Sequence, residues 1–239
     1  MSGAMYPKID TVWQRDEQGV ITPGVHSREA FRYLDDRQWV ATEKVDGTNI
    51  RVTLSAADMG THFDLMTHFG GRTDNAQIPA PLVAVLQEKF MGEAPRARIL
   101  SQFPFLVSNP TSTVVLYGEG YGKGIQKVGA QYLPDRVDFV LFDVLIGGLW
   151  MDLPSLEDIA HGLKIDVVPV VAVGTLKELC ELAKRGQPMS EFGAPRTVPM
   201  EGFVMQPLVR LCDRRGERII TKIKHQDYVR ARQVQGHPS

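Results

Sequence analysis

Ala41-Thr42-Glu43-Lys44-Val45-Asp46-Gly47-Thr48-Asn49-Ile50-Arg51-Val52 sets a lysine between two β-prone segments. Trp39-Val40-Ala41-Thr42 leads in, Ile50-Arg51-Val52-Thr53-Leu54 leads out, and Asp46-Gly47 between them is a tight-turn signal. This arrangement offers the Lys44 amine at a strand end, over a turn whose glycine lets backbone approach a ligand. An amine held there is either a nucleophile or a phosphate ligand. An ordinary lysine has a pKa of about 10.4, so about one part in a thousand is free amine at neutral pH. Nucleophilic use therefore requires burial, neighbouring cations, or help from a base or metal. Alone, Lys-x-Asp-Gly is weak, because most such tetrapeptides are exposed hairpin turns. The segments downstream decide.

Tyr117-Gly118-Glu119-Gly120 closes the apolar run Val114-Val115-Leu116 and leaves a carboxylate at its end. Phe139-Val140-Leu141-Phe142-Asp143-Val144 is an apolar run broken by one acid, which is costly to bury unless paired or coordinating. Phe142 beside it offers a flat face for a base, although a lone phenylalanine is more often plain core. Glu201-Gly202-Phe203-Val204-Met205 puts another carboxylate at the start of a β-prone run. In Ile219-Ile220-Thr221-Lys222-Ile223-Lys224, strand alternation places Lys222 and Lys224 on one face. Two ammonium groups aimed the same way repel unless an anion or water separates them.

These segments sit in a chain of 239 residues, 43% apolar and 23% charged, ordinary proportions for a globular protein. No run approaches eighteen uninterrupted apolar residues, so no transmembrane helix and no membrane partner are expected. Met1 to Pro7 lacks the regions of a signal peptide, and Met5 is an alternative start. Cys180 and Cys212 form neither a disulfide framework nor a zinc pattern and read as reduced thiols of a cytoplasmic protein. His26, His62, His68, His161, His225 and His237 show no metal spacing. The net charge is −1, but Arg210, Arg214, Arg215, Arg218, Lys222, Lys224, Arg230 and Arg232 crowd the C-terminal stretch, a pattern that suits a polyanion.

Strands are expected at 40–42, 50–54, 63–67, 113–118, 138–146, 167–173, 202–206 and 219–223. Helices are expected at 27–35, 80–90, 155–162 and 175–185, with Ser27 and Ser155 as N-caps and a capping box from Thr175 to Glu178. The segment 91–110 reads as the least regular part. The mixed order of elements predicts an α+β protein with largely antiparallel sheets, and the lack of a linker predicts a single domain over 1–239.

In order, Lys44-Val45-Asp46-Gly47, Tyr117-Gly118-Glu119, Phe142-Asp143-Val144, Glu201-Gly202-Phe203-Val204 and Lys222-Ile223-Lys224 resemble the sequential motifs of the covalent nucleotidyltransferases. Asn49 and Phe69-Gly70-Gly71-Arg72-Thr73 resemble RNA ligases of the type of the second bacteriophage T4 RNA ligase; DNA ligases usually carry arginine in place of Asn49. The resemblance implies a nucleotidyltransferase (ATP-grasp-like) fold of antiparallel sheets flanked by helices, with the nucleotide pocket between them. It implies that Lys44 attacks the α-phosphate of ATP to give a lysyl-AMP intermediate. AMP would then pass to a 5′-phosphate end and a 3′-hydroxyl would displace it, with RNA the favoured nucleic acid partner.

By the same resemblance, Lys222 and Lys224 neutralise phosphate, and Glu119 and Glu201 hold the ribose and Mg2+ or Mn2+. Phe142 stacks on the base, Arg72 contacts the nucleotide, Glu43 faces the adenine edge, and Val45 and Asn49 complete the nucleotide site. Asp46 stands where ligases of the T4 type often have histidine, and the sequence ends fifteen residues after Lys224, short of a C-terminal OB or helical domain. A DNA nick ligase or other end-adenylating enzyme, and a catalytically idle RNA-binding module of the same fold, are the alternatives. Oligomeric state is left open.

Overall fold

The computed structural model describes residues 4–109, 111–186, 188–192 and 198–235. Pro110, at the end of the expected irregular segment, and His237 lie outside them. The chain divides into two units, Lys8–Val45 with Pro169–Ser239, and Met1–Pro7 with Asp46–Val168.

In chain order the first stretch carries β1 (Asp10–Thr11), β2 (Trp13–Arg15), β3 (Ile21–His26), α1 (Glu29–Tyr33) and β4 (Gln38–Lys44). The second carries β5 (Thr48–Asp58), β6 (Phe63–Gly70), α2 (Ala80–Phe90), α3 (Glu93–Gln102), α4 (Phe105–Ser108), β7 (Thr113–Gly122), α5 (Gly129–Tyr132), β8 (Val137–Ile146), β9 (Leu149–Trp150), α6 (Leu153–Leu163) and β10 (Asp166–Val167). The last carries β11 (Val170–Thr175), α7 (Leu176–Arg185), β12 (Gly202–Pro207), β13 (Thr221–Lys224) and α8 (His225–Gln235).

In the unit built on Asp46–Val168, the strands run in the order β10-β8-β7-β5-β6, with β9 beside β8. Alternation sends Ile50, Val52 and Leu54 of β5 to one face, where all three are fully buried. They share a core with Leu82, Leu86 and Phe90, which recur every fourth residue along α2 and form its apolar stripe. The opposite face of this sheet carries Asn49, Arg51, Tyr117 and Glu119, because β5 and β7 pair antiparallel with Arg51 opposite Tyr117 and Asn49 opposite Glu119.

The other unit holds a sheet in the order β1-β13-β12-β4-β11 and a separate β2-β3 pair. Trp39, Ala41, Phe203, Met205 and Ile223 of its strands join Leu176, Leu179, Cys180 and Ala183 of α7 in one core. The capping box expected for α7 is present: the Thr175 hydroxyl accepts from the Glu178 N–H and the Glu178 carboxylate accepts from the Thr175 N–H.

Most of the α+β reading holds, with pairs largely antiparallel and two parallel ones, β1–β13 and β10–β8. Several local expectations fail for definable reasons. Ser27 does not cap α1, since its hydroxyl donates to the Thr11 carbonyl at 2.5 Å and Arg28 takes the cap position without a side-chain bond. Asp152, not Ser155, caps α6, its carboxylate accepting the Ser155 N–H at 3.0 Å while Pro154 sits in the first turn where no N–H is needed. The supposedly irregular 91–110 contains α3 and α4, held by the burial of Ile99, Phe103 and Leu106. The expected strand 167–173 is two strands, β10 and β11, parted at Val168-Pro169, where the proline has no N–H for a ladder. After β13 the chain turns into α8, unforeseen from sequence and anchored by buried Tyr228, whose hydroxyl accepts from the Trp13 indole at 2.7 Å.

Leu86→Ala will empty a fully buried site and lower stability by about 2–5 kcal/mol, read as a fall in the urea unfolding midpoint. The two thiols will differ sharply. Burial pushes the Cys180 thiol up to about 12, whereas Cys212 is exposed. At pH 8 a thiol reagent should modify Cys212 in the native protein and Cys180 only after denaturation.

Candidate active site

Lys44 ends β4, and its place is set by β12. Gly202 pairs with Lys44 on one side and with Lys224 of β13 on the other, while Val204 pairs with Thr42 and Lys222. Paired residues share a face, so Lys44, Lys222 and Lys224 emerge together on one side of this sheet. Gly202 is required by sterics. A Cβ there would lie 2.0 Å from the Ile223 carbonyl oxygen and 2.7 Å from the Lys224 Cα.

Glu201, one residue before β12, closes the group. Its Oε2 lies 2.5 Å from the Lys44 Nζ, and its Oε1 pairs with the Lys224 Nζ. The Glu201 and Lys44 side chains are only 15% and 22% exposed, so water screens this pair less than a surface salt bridge. One carboxylate therefore serves two ammonium groups, with Lys222 on the same face one row away. That arrangement can bind an anion.

Glu43 goes elsewhere. Alternation puts it with Phe203 and Ile223 on the core face, away from the Lys44 amine. It is 2% exposed and accepts from the Ser190 hydroxyl at 2.5 Å and the Glu191 N–H at 3.0 Å. Burial pushes its carboxyl above the ordinary carboxylate range, partly offset by those two bonds. Val45 is buried.

The remaining candidates belong to the other unit. Gly47 begins β5's approach, and a Cβ on it would meet the Gly120 carbonyl oxygen at 2.3 Å and the Glu119 Cγ at 2.7 Å. Its lack of a side chain lets this turn lie against β7. Gln126 donates to the Gly47 carbonyl at 2.9 Å and the Tyr132 hydroxyl accepts from the Asp46 N–H at 3.4 Å, so the Asp-Gly turn is held from two sides. Asn49 and Glu119 are direct neighbours on β5 and β7. The Asn49 Oδ1 is buried and accepts no hydrogen bond from the described residues. A buried acceptor left open beside a carboxylate is an oxygen set suited to a hydroxyl donor or a hard cation.

Phe142 sits in a β-bulge. Tyr117 pairs with Asp143 and Gly118 with Leu141, leaving Phe142 between them without a ladder partner. Leu141 and Val144 both point to the core, so Phe142 and Asp143 fall together on the face that carries Glu119. The buried Asp143 is paired, accepting from the Tyr6 hydroxyl at 2.9 Å. Arg72 is exposed just beyond β6. Its loop is held by Arg51, which donates to the Gly71 carbonyl at 3.0 Å and bridges to Asp74 at 2.6 Å.

The structure thus groups Lys44, Glu201, Lys222 and Lys224 in one unit and Asn49, Glu119 and Phe142 on one sheet face in the other. Sequence reasoning missed Tyr6, Arg51, Ser190 and Gln126. Arg51 carried a faint signal, a charge inside an apolar strand, and the others carried none. Acids within the expected basic C-terminal stretch pair with cations from outside it, Asp213 with Arg28 at 2.9 Å and Asp227 with Arg15 at 2.9 Å, while Arg214 and Arg215 stay exposed.

Comparison with known proteins adds the family. A search of curated proteins gave no match. Among solved structures, Naegleria gruberi RNA ligase with PPi matches with a TM-score of 0.56 at 16% identity, over 96% of this chain and 64% of that one. A mutant of the same ligase with ATP and Mn matches with a TM-score of 0.56 at 15% identity, over 94% and 63%. Another mutant, with AMP and Mn, gives 0.53 at 15% identity, over 94% and 63%. The likeness is one of fold, and the chain spans less than two thirds of these structures' length. The family model for RNA ligase matches residues 37–224, a span that holds Lys44, Glu119, Phe142, Glu201, Lys222 and Lys224. The chain belongs to the RNA ligase family.

Proposed function

We propose that this protein is an ATP-dependent RNA ligase whose nucleophile is Lys44. The observation that carries the reading is the Lys44–Glu201–Lys224 group around Gly202, with Lys222 on the same face. In the first step the Lys44 nitrogen attacks the α-phosphorus of ATP. An N–P bond forms, the bond to the β-phosphate oxygen breaks, pyrophosphate leaves, and the amine gives up its proton. Lys222 and Lys224 offset the charge spread over the phosphate oxygens, an interaction strongest in the transition state. AMP then passes from Lys44 to a 5′-phosphate end, and a 3′-hydroxyl displaces it as the strand is sealed.

The other residues bind and orient. Phe142 offers its ring to the base. The open Asn49 acceptor and the Glu119 carboxylate suit the ribose hydroxyls. Arg72 reaches the nucleotide from the loop that Arg51 holds, and Val45 and Glu43 support the Lys44 strand from its buried side. Carboxylate oxygens of Glu119 and Glu201 have the chemistry to hold Mg2+ or Mn2+, which when bound supplies charge neutralisation to the phosphates. The Naegleria ligase has been solved with ATP and Mn, with AMP and Mn and with PPi, which are the reactant, transferred group and leaving group of this first step. The family assignment favours RNA ends over DNA, and exposed Cys212 suits a reducing, cytoplasmic setting. We further propose that residues 1–239 work as one adenylylation domain.

Incubation with α-labelled ATP and magnesium, followed by a denaturing gel, tests the first step. Wild type should retain acid-labile label; Lys44→Ala and Lys44→Arg should retain none, the arginine variant keeping a cation opposite Glu201 so that lost label is not lost fold. Absence of label on the wild type across metals and pH would sink the reading. Glu201→Gln should fold and lower the labelling rate by at least about a hundredfold, since it removes the charge that binds both lysines. In sealing assays on 5′-phosphorylated strands, an RNA 3′-hydroxyl end should be preferred. Equal sealing of all-DNA nicks would make the enzyme a DNA ligase instead.

A further inference from the structure

The N-terminal residues before β1 contribute to the sheet face that carries Phe142. The Tyr117 hydroxyl donates to the Ala4 carbonyl at 2.7 Å and holds this segment on β7. Tyr6 then reaches both members of the bulge. Its ring meets Phe142 edge-on, with centroids 5.0 Å apart at 76°, and its hydroxyl donates to the Asp143 Oδ2 at 2.9 Å. Trp150 flanks it at 5.6 Å and 86°, and Tyr117 at 5.0 Å.

A bulged residue has lost its ladder partner, so side-chain packing is what fixes its direction. Among the described residues the Phe142 ring meets that of Tyr6, a residue that reaches the bulge from the far end of the sequence. We propose that Tyr6 is a positioning residue: it holds the Phe142 ring in the pose that receives a nucleotide base and so sets nucleotide affinity without touching the reacting phosphate. This rests on the reading of Phe142 as the base platform. It assigns the N-terminal segment a role in binding that the motif-bearing part of the chain lacks by itself, since the family match begins at residue 37.

The experiment uses the full chain and two readouts, the ATP dependence of self-labelling and AMP binding by calorimetry. Tyr6→Ala should raise the KM for ATP and the Kd for AMP about three- to tenfold, the size expected for one aromatic pair, with kcat within about twofold of wild type. Tyr6→Phe, which keeps the ring, should restore most of that affinity, and Tyr6→Leu, which keeps the bulk but no aromatic edge, should not. The double variant Tyr6→Ala, Phe142→Ala should bind no worse than Phe142→Ala alone, because the first residue acts through the second. If wild type labels and binds AMP while Tyr6→Ala and Tyr6→Leu match it, or if the double variant shows the full product of the single losses, the positioning role is wrong. If wild type neither labels nor binds AMP, the base-platform reading falls, and this inference with it.

Discussion

Like charges on one face of a sheet repel, and here the repulsion is built into the register. Lys44 and Lys224 flank the same glycine from opposite sides, on strands whose axes are roughly 10 Å apart across β12. Their ammonium groups converge because Glu201 stands at the end of the strand between them and gives one oxygen to each. Replacing that carboxylate would leave cations facing one another in a partly screened place and push the two ammonium groups apart. Everything else about the lysine face follows from this contact and from the missing side chain at Gly202. A Cβ there would collide with β13 backbone, move Lys224, and open the bridge.

The other unit solves a different problem. A regular β8 would send Phe142 and Asp143 to opposite faces, one of them into the core among Leu141 and Val144. The bulge adds one residue and brings both to the same side, beside Glu119 and Tyr117. The cost is a buried carboxylate and an unpaired residue. Tyr6 addresses both, with its hydroxyl on Asp143 and its ring on Phe142. Arg51 does comparable work on β5, spending its guanidinium on Gly71 and Asp74 so that the loop bearing Arg72 keeps one shape.

What the sequence made legible was whatever depends on near neighbours. The apolar alternation of β5, the four-residue spacing along α2 and the Thr175–Glu178 box of α7 are local patterns, and the elements formed there. The shared face of Lys222 and Lys224 was also legible, because strand alternation is itself a local pattern. The failures share a different character. Glu93–Gln102 is a weakly amphipathic helix containing Pro95 and several charges, and it is held by what Ile99 and Phe103 pack against. Ser27 had a local motif for capping, but the Thr11 carbonyl 16 residues away took its hydroxyl. Tyr6 and Asp143 are 137 residues apart, and no spacing rule connects them. Glu43 was read by its adjacency to Lys44, whereas strand period separates adjacent residues onto opposite faces and sends it to Ser190.

Each unit also concentrates one kind of chemistry on one face. On the lysine face a single carboxylate is divided between two ammonium groups, with a third lysine on the same side. On the β5–β7 face the Asn49 Oδ1 is buried without a donor from the described residues, a condition that costs about 1–3 kcal/mol unless something supplies one. Beside it lies Glu119, a second acceptor, and near them the half-exposed Phe142 ring. The lysine face offers positive charge, whereas the β5–β7 face offers oxygen acceptors and a flat apolar ring.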